Sequence, residues 1–143
     1  MKMRPSRIET NLKVAYTIAD RGTCLRAKVG AVATQDNRIV CTGYNGAAKG
    51  MDHCTDASCN PDNPCPNSVH AEANLIAYAA KKGVALEGAT LYITHSPCRK
   101  CSELIIQAGI ERIFYEKMYR DTPWGLLTIA GVDTHQTLPS SED

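Results

Sequence analysis

The segment ATLYITHSPCRKCSELIIQAGIERIFY, residues 89–115, decides the fold. Residues 89–94 form a short apolar run that reads as a strand. Residues 98–108 then recur at helical spacing and close on Gly109, and residues 112–115 give a second strand. Reading outward, residues 70–82 form an Ala-rich helix pattern, with Lys81 and Lys82 at its C-terminal dipole and Gly83 behind them. Residues 29–34 and 38–44 read as strands joined by a turn at Asp36-Asn37, a β-hairpin. At the start, Ser6 and Glu9 are spaced as a capping box, and Ile8, Leu12, Ala15 and Ala19 recur at helical spacing before Gly22. Residues 124–130 predict a short helix and 132–135 a last strand, with 138–143 a frayed tail. Between residues 45 and 67 the chain is rich in Gly, Pro, Asn and Asp, a loop long enough to be functional or stapled. The order α-β-β-α-β-α-β-α-β, with strand and helix alternating after the hairpin, predicts an α/β domain with a mainly parallel sheet and helices on both faces.

The chain has 143 residues, 43% hydrophobic and 22% charged, which fits one domain over 1–143 with a single core. A net charge of +1 without a basic run argues against nucleic-acid binding, and no apolar stretch reaches membrane-spanning length. The N-terminal residues lack the apolar centre of a secretory signal, so a cytoplasmic location is expected. No G-x-G-x-x-G or Walker sequence occurs. Seven cysteines, an odd number, argue against a complete disulfide framework and turn attention to metal binding.

His70-Ala71-Glu72 opens one predicted helix and Pro97-Cys98-Arg99-Lys100-Cys101 the next. Cys98 and Cys101, three apart, share a helix face and can reach one ion. A helix N-terminus also favours their thiolates. His70 supplies a third ligand, and three protein ligands leave the fourth tetrahedral position to water, the catalytic arrangement for Zn2+. Bound zinc lowers the pKa of that water towards neutrality. Glu72 points away from His70 at helical spacing, which makes it a proton carrier beside the water and not a ligand. C-x-x-C alone is weak and also fits a redox pair or half a structural site; H-x-E with P-C-x-x-C is the specific combination.

In these motifs the chain resembles the deoxycytidylate (dCMP) deaminases of the cytidine-deaminase superfamily. The resemblance lies in TCLRAKVGAV (23–32), GYNG (43–46), HAEANLI (70–76), LYITHSPCRKC (91–101) and YRD (119–121). It implies a three-layer α/β/α cytidine-deaminase-like fold with a five-stranded mixed sheet. It also implies hydrolysis of dCMP to dUMP and ammonia, supplying dUMP for thymidylate synthesis. In that family the backbone at Ala71 and Ser96 orients the base and Asn45 meets the sugar. A 5′-phosphate calls for cationic or hydroxyl donors, and Arg26, Lys28, Tyr119 and Arg120 are candidates, with Arg26 and Arg120 favoured by motif position.

Cys24 with the loop residues Cys54, Cys59 and Cys65 makes a set of four thiols for a second, structural zinc, with His53 a competing ligand. Cys41 reads as core. Members of the resembled branch are commonly homohexamers activated by dCTP and inhibited by dTTP with Mg2+. An effector site near Gly43, Tyr44, Gly46 and Lys49 would follow, although a tight glycine turn explains that stretch equally well. The competing functions are a deaminase of another substrate, such as free cytidine, guanine or a tRNA adenosine, and a non-catalytic zinc module. The near-neutral charge disfavours a tRNA substrate, and a non-catalytic module has no need of Glu72.

Overall fold

The computed structural model describes residues 3–24, 27–53 and 68–137. Arg26, Cys54, Cys59, Cys65 and the tail 138–143 therefore lie outside the described residues. Helix α1 (Arg7–Ala19) starts where Ser6 Oγ accepts the Glu9 N–H at 3.1 Å, one half of the expected capping box. Strands β1 (Gly30–Gln35) and β2 (Arg38–Tyr44) form the expected hairpin. Its two turn residues, Asp36 and Asn37, both take positive φ (52° and 65°), as a primed two-residue turn requires. Then come β3 (Gly46–Ala47), β4 (Ser68–Val69), α2 (Ala71–Lys82), β5 (Thr90–His95), α3 (Arg99–Ala108), β6 (Arg112–Lys117), α4 (Trp124–Ile129) and β7 (Asp133–Gln136).

The main sheet runs β2-β1-β5-β6-β7. It is mixed and five-stranded, as the family resemblance implies, and this corrects the mainly parallel sheet expected from element order alone: β1 is antiparallel to both β2 and β5, while β5/β6 and β6/β7 are parallel. The hairpin reverses the chain, so the strand that returns beside β1 after α2 meets it head to tail. Sequence reading also missed the β3/β4 ribbon, whose two-residue strands are too short to show a period.

Alternation along the strands sorts the core into two layers. Val32 and Tyr92 pack with Leu12 and Ala15 under α1. Ala31, Ala33, Leu91, Ile93 and Ile113 face the other way, against Ala71, Leu75 and Ala79 of α2, Ile105 of α3 and Leu127 of α4. Helices thus cover both faces in three layers. Cys41 is buried in this second layer, as expected.

Gly30 shows how closely α1 lies on the sheet, because a Cβ there would sit 1.9 Å from the Ala15 carbonyl oxygen. Backbone cannot yield as a flexible side chain can, so Gly30→Ala should cost about 1–3 kcal/mol or more. Urea unfolding checks this: the midpoint should fall clearly, and an unchanged midpoint would contradict the close approach.

The directions of the strands position the site. Both β2 and β5 are antiparallel to β1, so they run the same way, and β6 runs with β5. Helices α2 and α3 follow β2 and β5 and pack against each other. Their N-termini, and the segment after β6, therefore gather at one edge of the sheet, outside the carboxyl ends of these strands.

Candidate metal centre and substrate cavity

His70 and Cys98 are the N-cap residues of α2 and α3, and Cys101 lies in the first turn of α3. An N-cap residue has extended backbone geometry, which frees its side chain from the helix surface; here that aims the His70 and Cys98 side chains toward a common point. The Cys98 and Cys101 sulfurs each lie 3.4 Å from His70 Nδ1. All three ligand atoms fall within 4.8 Å of one another. Tetrahedral zinc with ordinary Zn–S and Zn–N lengths places sulfur and nitrogen about 3.5 Å apart, so the three residues fit the ion. Helix α3 also presents the Cys101 backbone N–H to the Cys98 sulfur at 3.5 Å. The Cys101 thiol, donating to Cys98, pulls the Cys98 thiol well below its ordinary value, and Cys101 is pushed up in turn. The Cys98 sulfur also raises the pKa of His70.

Glu72 sits one position into α2 and is only 4% exposed. Burial raises its carboxyl to about 7, with the charge of Cys98 adding to the effect. It is not among the three clustered ligands.

These groups open onto a cavity of about 320 Å³ whose described lining includes His70, Ala71, Glu72, His95, Ser96 and Tyr119. Asn45 lines it too, and its side chain is already engaged: Oδ1 accepts the Val29 N–H at 2.7 Å and Nδ2 donates to the Ala27 carbonyl at 2.8 Å. Asn45 thereby fixes the 27–29 segment as a wall of the site. Ser96 is anchored from three sides. Its N–H donates to Lys117 O, and its Oγ bonds Thr122 Oγ1 at 2.8 Å and accepts the Tyr119 N–H at 2.6 Å. That last bond brings Tyr119 to the cavity.

Apart from Cys24, the other described residues singled out from the sequence lie elsewhere. Lys28 is exposed and outside the described lining. Arg120 is likewise outside it, with its guanidinium exposed and 3.7 Å from the Asp121 carboxylate. Gly43 is buried against α2, where a Cβ would lie 2.4 Å from Ala71 O, and Gly46 is buried beside Thr23. Tyr44 and Lys49 are exposed. Cys24 is buried and borders the cavity, while His53 is exposed. Sequence reading passed over His95, which borders the cavity at the end of β5. The available signal was a histidine closing a strand directly before S-P-C.

The family described as the cytidine and deoxycytidylate deaminase zinc-binding region matches residues 5–117. ComE operon protein 2 of Bacillus subtilis is 41% identical over 125 residues, covering 85% of this chain and 66% of that protein. The chain thus spans just under two-thirds of that relative. The deoxycytidylate deaminase of Mycobacterium phage D29 is 40% identical over 126 residues, covering 80% of this chain and 97% of that protein. A crystal structure of dCMP deaminase from the cyanophage S-TIM5, in complex with dCMP and dUMP, superposes with a TM-score of 0.85 at 32% identity. That match covers 95% of this chain and 100% of the other. Fold, site and sequence agree, and the chain belongs to the cytidine and deoxycytidylate deaminase family of zinc-binding enzymes.

Proposed function

We propose that this protein deaminates dCMP hydrolytically, giving dUMP and ammonia. The observation that carries the reading is the His70–Cys98–Cys101 triangle beside the buried Glu72 carboxyl, at the end of a cavity of nucleotide size. His70, Cys98 and Cys101 would hold the zinc, which when bound supplies the Lewis acidity that activates a water. Glu72 takes the proton from that water, passes it to N3 of the cytosine, and later delivers a proton to the departing amine. Water thus adds at C4, the C4–N4 bond breaks, and ammonia leaves.

The backbone of this chain orients the base. Ala71 is the first residue of α2, so its N–H has no partner within the helix and is a donor for the base carbonyl. The Ser96 N–H is spent on Lys117, which leaves the Ser96 carbonyl as the acceptor for the exocyclic amine. Asn45 keeps one amide hydrogen beyond its bond to Ala27, and this suits a sugar hydroxyl.

The phosphate is what separates dCMP from the free nucleoside. Following ultraviolet absorbance with dCMP, deoxycytidine and dCTP side by side tests the assignment. Rapid loss of dCMP with little change in deoxycytidine is expected, and preference for deoxycytidine would overturn it.

A structural zinc held by Cys24 with Cys54, Cys59 and Cys65 belongs to the same proposal, supported by the burial of Cys24 beside the cavity. So do a homohexamer and control by dCTP and by dTTP with Mg2+. For the effector site, the exposed Tyr44 and Lys49 are the residues able to meet a nucleotide, because Gly43 and Gly46 are packing positions. No described helix is long and apolar enough to cross a membrane.

A further inference from the structure

Between β6 and α4 the chain passes the cavity, and Tyr119 forms part of the described lining. Residues 118–121 are nonetheless all exposed. The Arg120–Asp121 pair is exposed too, and an ion pair in water holds a backbone weakly. A connection of this kind keeps one shape only where something buried holds it. In this segment the buried residue is Thr122, 6% exposed.

The Thr122 hydroxyl lies 2.8 Å from Ser96 Oγ, and the same Ser96 oxygen accepts the Tyr119 N–H at 2.6 Å. The Thr122 N–H donates to Tyr119 O at 3.2 Å, which closes residues 119–122 into a turn. One serine oxygen thus holds both the first and the last residue of that turn. The chain before the turn is tied to the same serine, since Lys117 O accepts the Ser96 N–H at 2.9 Å. Ser96 and Thr122 are both buried, so their bond does not compete with water as an exposed one would. Thr122 itself lies outside the described lining of the cavity. Its hydroxyl therefore meets a ligand only through what it holds, the turn that carries Tyr119. A wall that is already ordered spares a ligand the entropy of ordering it. The metal triangle and Glu72 stand at the starts of α2 and α3, away from this turn in the chain. Losing the anchor should weaken binding and spare the chemical step.

Resting on the reading of the cavity as a nucleotide site, we propose that Thr122 is a positioning residue whose bond to Ser96 Oγ holds the 119–122 turn, so that Tyr119 stands as a fixed wall against the nucleotide. Thr122→Val keeps the shape and removes the hydroxyl, whereas Thr122→Ser keeps the hydroxyl. In zinc-loaded protein without nucleotide, the Tyr119 amide should be protected from hydrogen exchange, and Thr122→Val should speed that exchange by about two- to tenfold. KM for dCMP and the calorimetric Kd of dUMP should rise by about the same factor, with kcat within about twofold of the wild type. Thr122→Ser should recover most of the loss. Because Thr122 acts through Tyr119, its effect on dUMP should largely vanish in a Tyr119→Ala background. A lower thermal midpoint with unchanged KM and unchanged Tyr119 exchange would reduce Thr122 to a packing residue and overturn the proposal. Equal loss in both backgrounds, or a fall in kcat at constant KM, would overturn it as well. Thr122→Ala repeats the test should Thr122→Val fail to fold. A wild type that neither binds dUMP nor consumes dCMP would refute the substrate reading, while the exchange of the Tyr119 amide still decides whether Thr122 holds the turn.

Discussion

Glu72→Gln is expected to lower kcat for dCMP by about 10³-fold or more, with KM, zinc content and thermal midpoint near those of the wild type. General acid–base groups contribute roughly 10²–10⁴ in rate, and Glu72 is asked to carry two proton transfers in one turnover. Glutamine has the same shape and hydrogen-bonding reach but cannot deliver a proton. Among the described lining residues there is no second carboxylate to take over the role. The position is 4% exposed, and a neutral amide is no harder to bury than a carboxyl, so the fold should persist. Steady-state kinetics with matched zinc analysis checks this. A kcat within tenfold of the wild type would mean that another group moves the proton.

Cys101→Ala is expected to remove one zinc equivalent and to lower turnover by about 10³-fold or more, without rescue by added zinc. The reason is geometric. Cys101 is 2% exposed in the first turn of α3, and its sulfur completes the triangle with His70 and Cys98. Two remaining ligands hold zinc poorly, and without the metal a water keeps its ordinary pKa, far above neutrality. Chelator-treated wild type serves as the contrast, because it should lose activity and regain it when zinc is restored. Retention of full zinc content and more than a tenth of the activity in Cys101→Ala would contradict the ligand assignment. Together the two substitutions separate roles: Glu72→Gln keeps the metal and loses the chemistry, whereas Cys101→Ala loses both.

Much of this site could be read from the chain because its geometry is local. His70 with Glu72, and Cys98 with Cys101, are fixed by helix starts, and helix starts leave signals in caps and spacing. The turn at Asp36-Asn37 was legible for the same reason, since those residue types tolerate positive φ. What could not be read depends on partners distant in sequence. The antiparallel meeting of β1 and β5 is a property of chain path, and the alternating pattern of either strand is the same in both directions. Asn45 acts as a brace for residues 27–29 because the loop passes beside it, and nothing in GYNG announces that. Arg120 follows the cavity-lining Tyr119 directly, yet its guanidinium is exposed beside Asp121 and outside the described lining. A position in a motif could not reveal that. The bond from the Gly30 N–H to Thr94 Oγ1 likewise forms only because β1 and β5 lie side by side.

The central claim is that the His70–Cys98–Cys101 centre with Glu72 hydrolyses the amino group of dCMP. Incubating the zinc-loaded protein with dCMP, and quantifying dUMP by chromatography and ammonia enzymatically, tests it most directly. The account predicts one dUMP and one ammonia for each dCMP consumed, in the wild type and not in Glu72→Gln. Intact dCMP and no ammonia, from protein that carries its zinc, would contradict it.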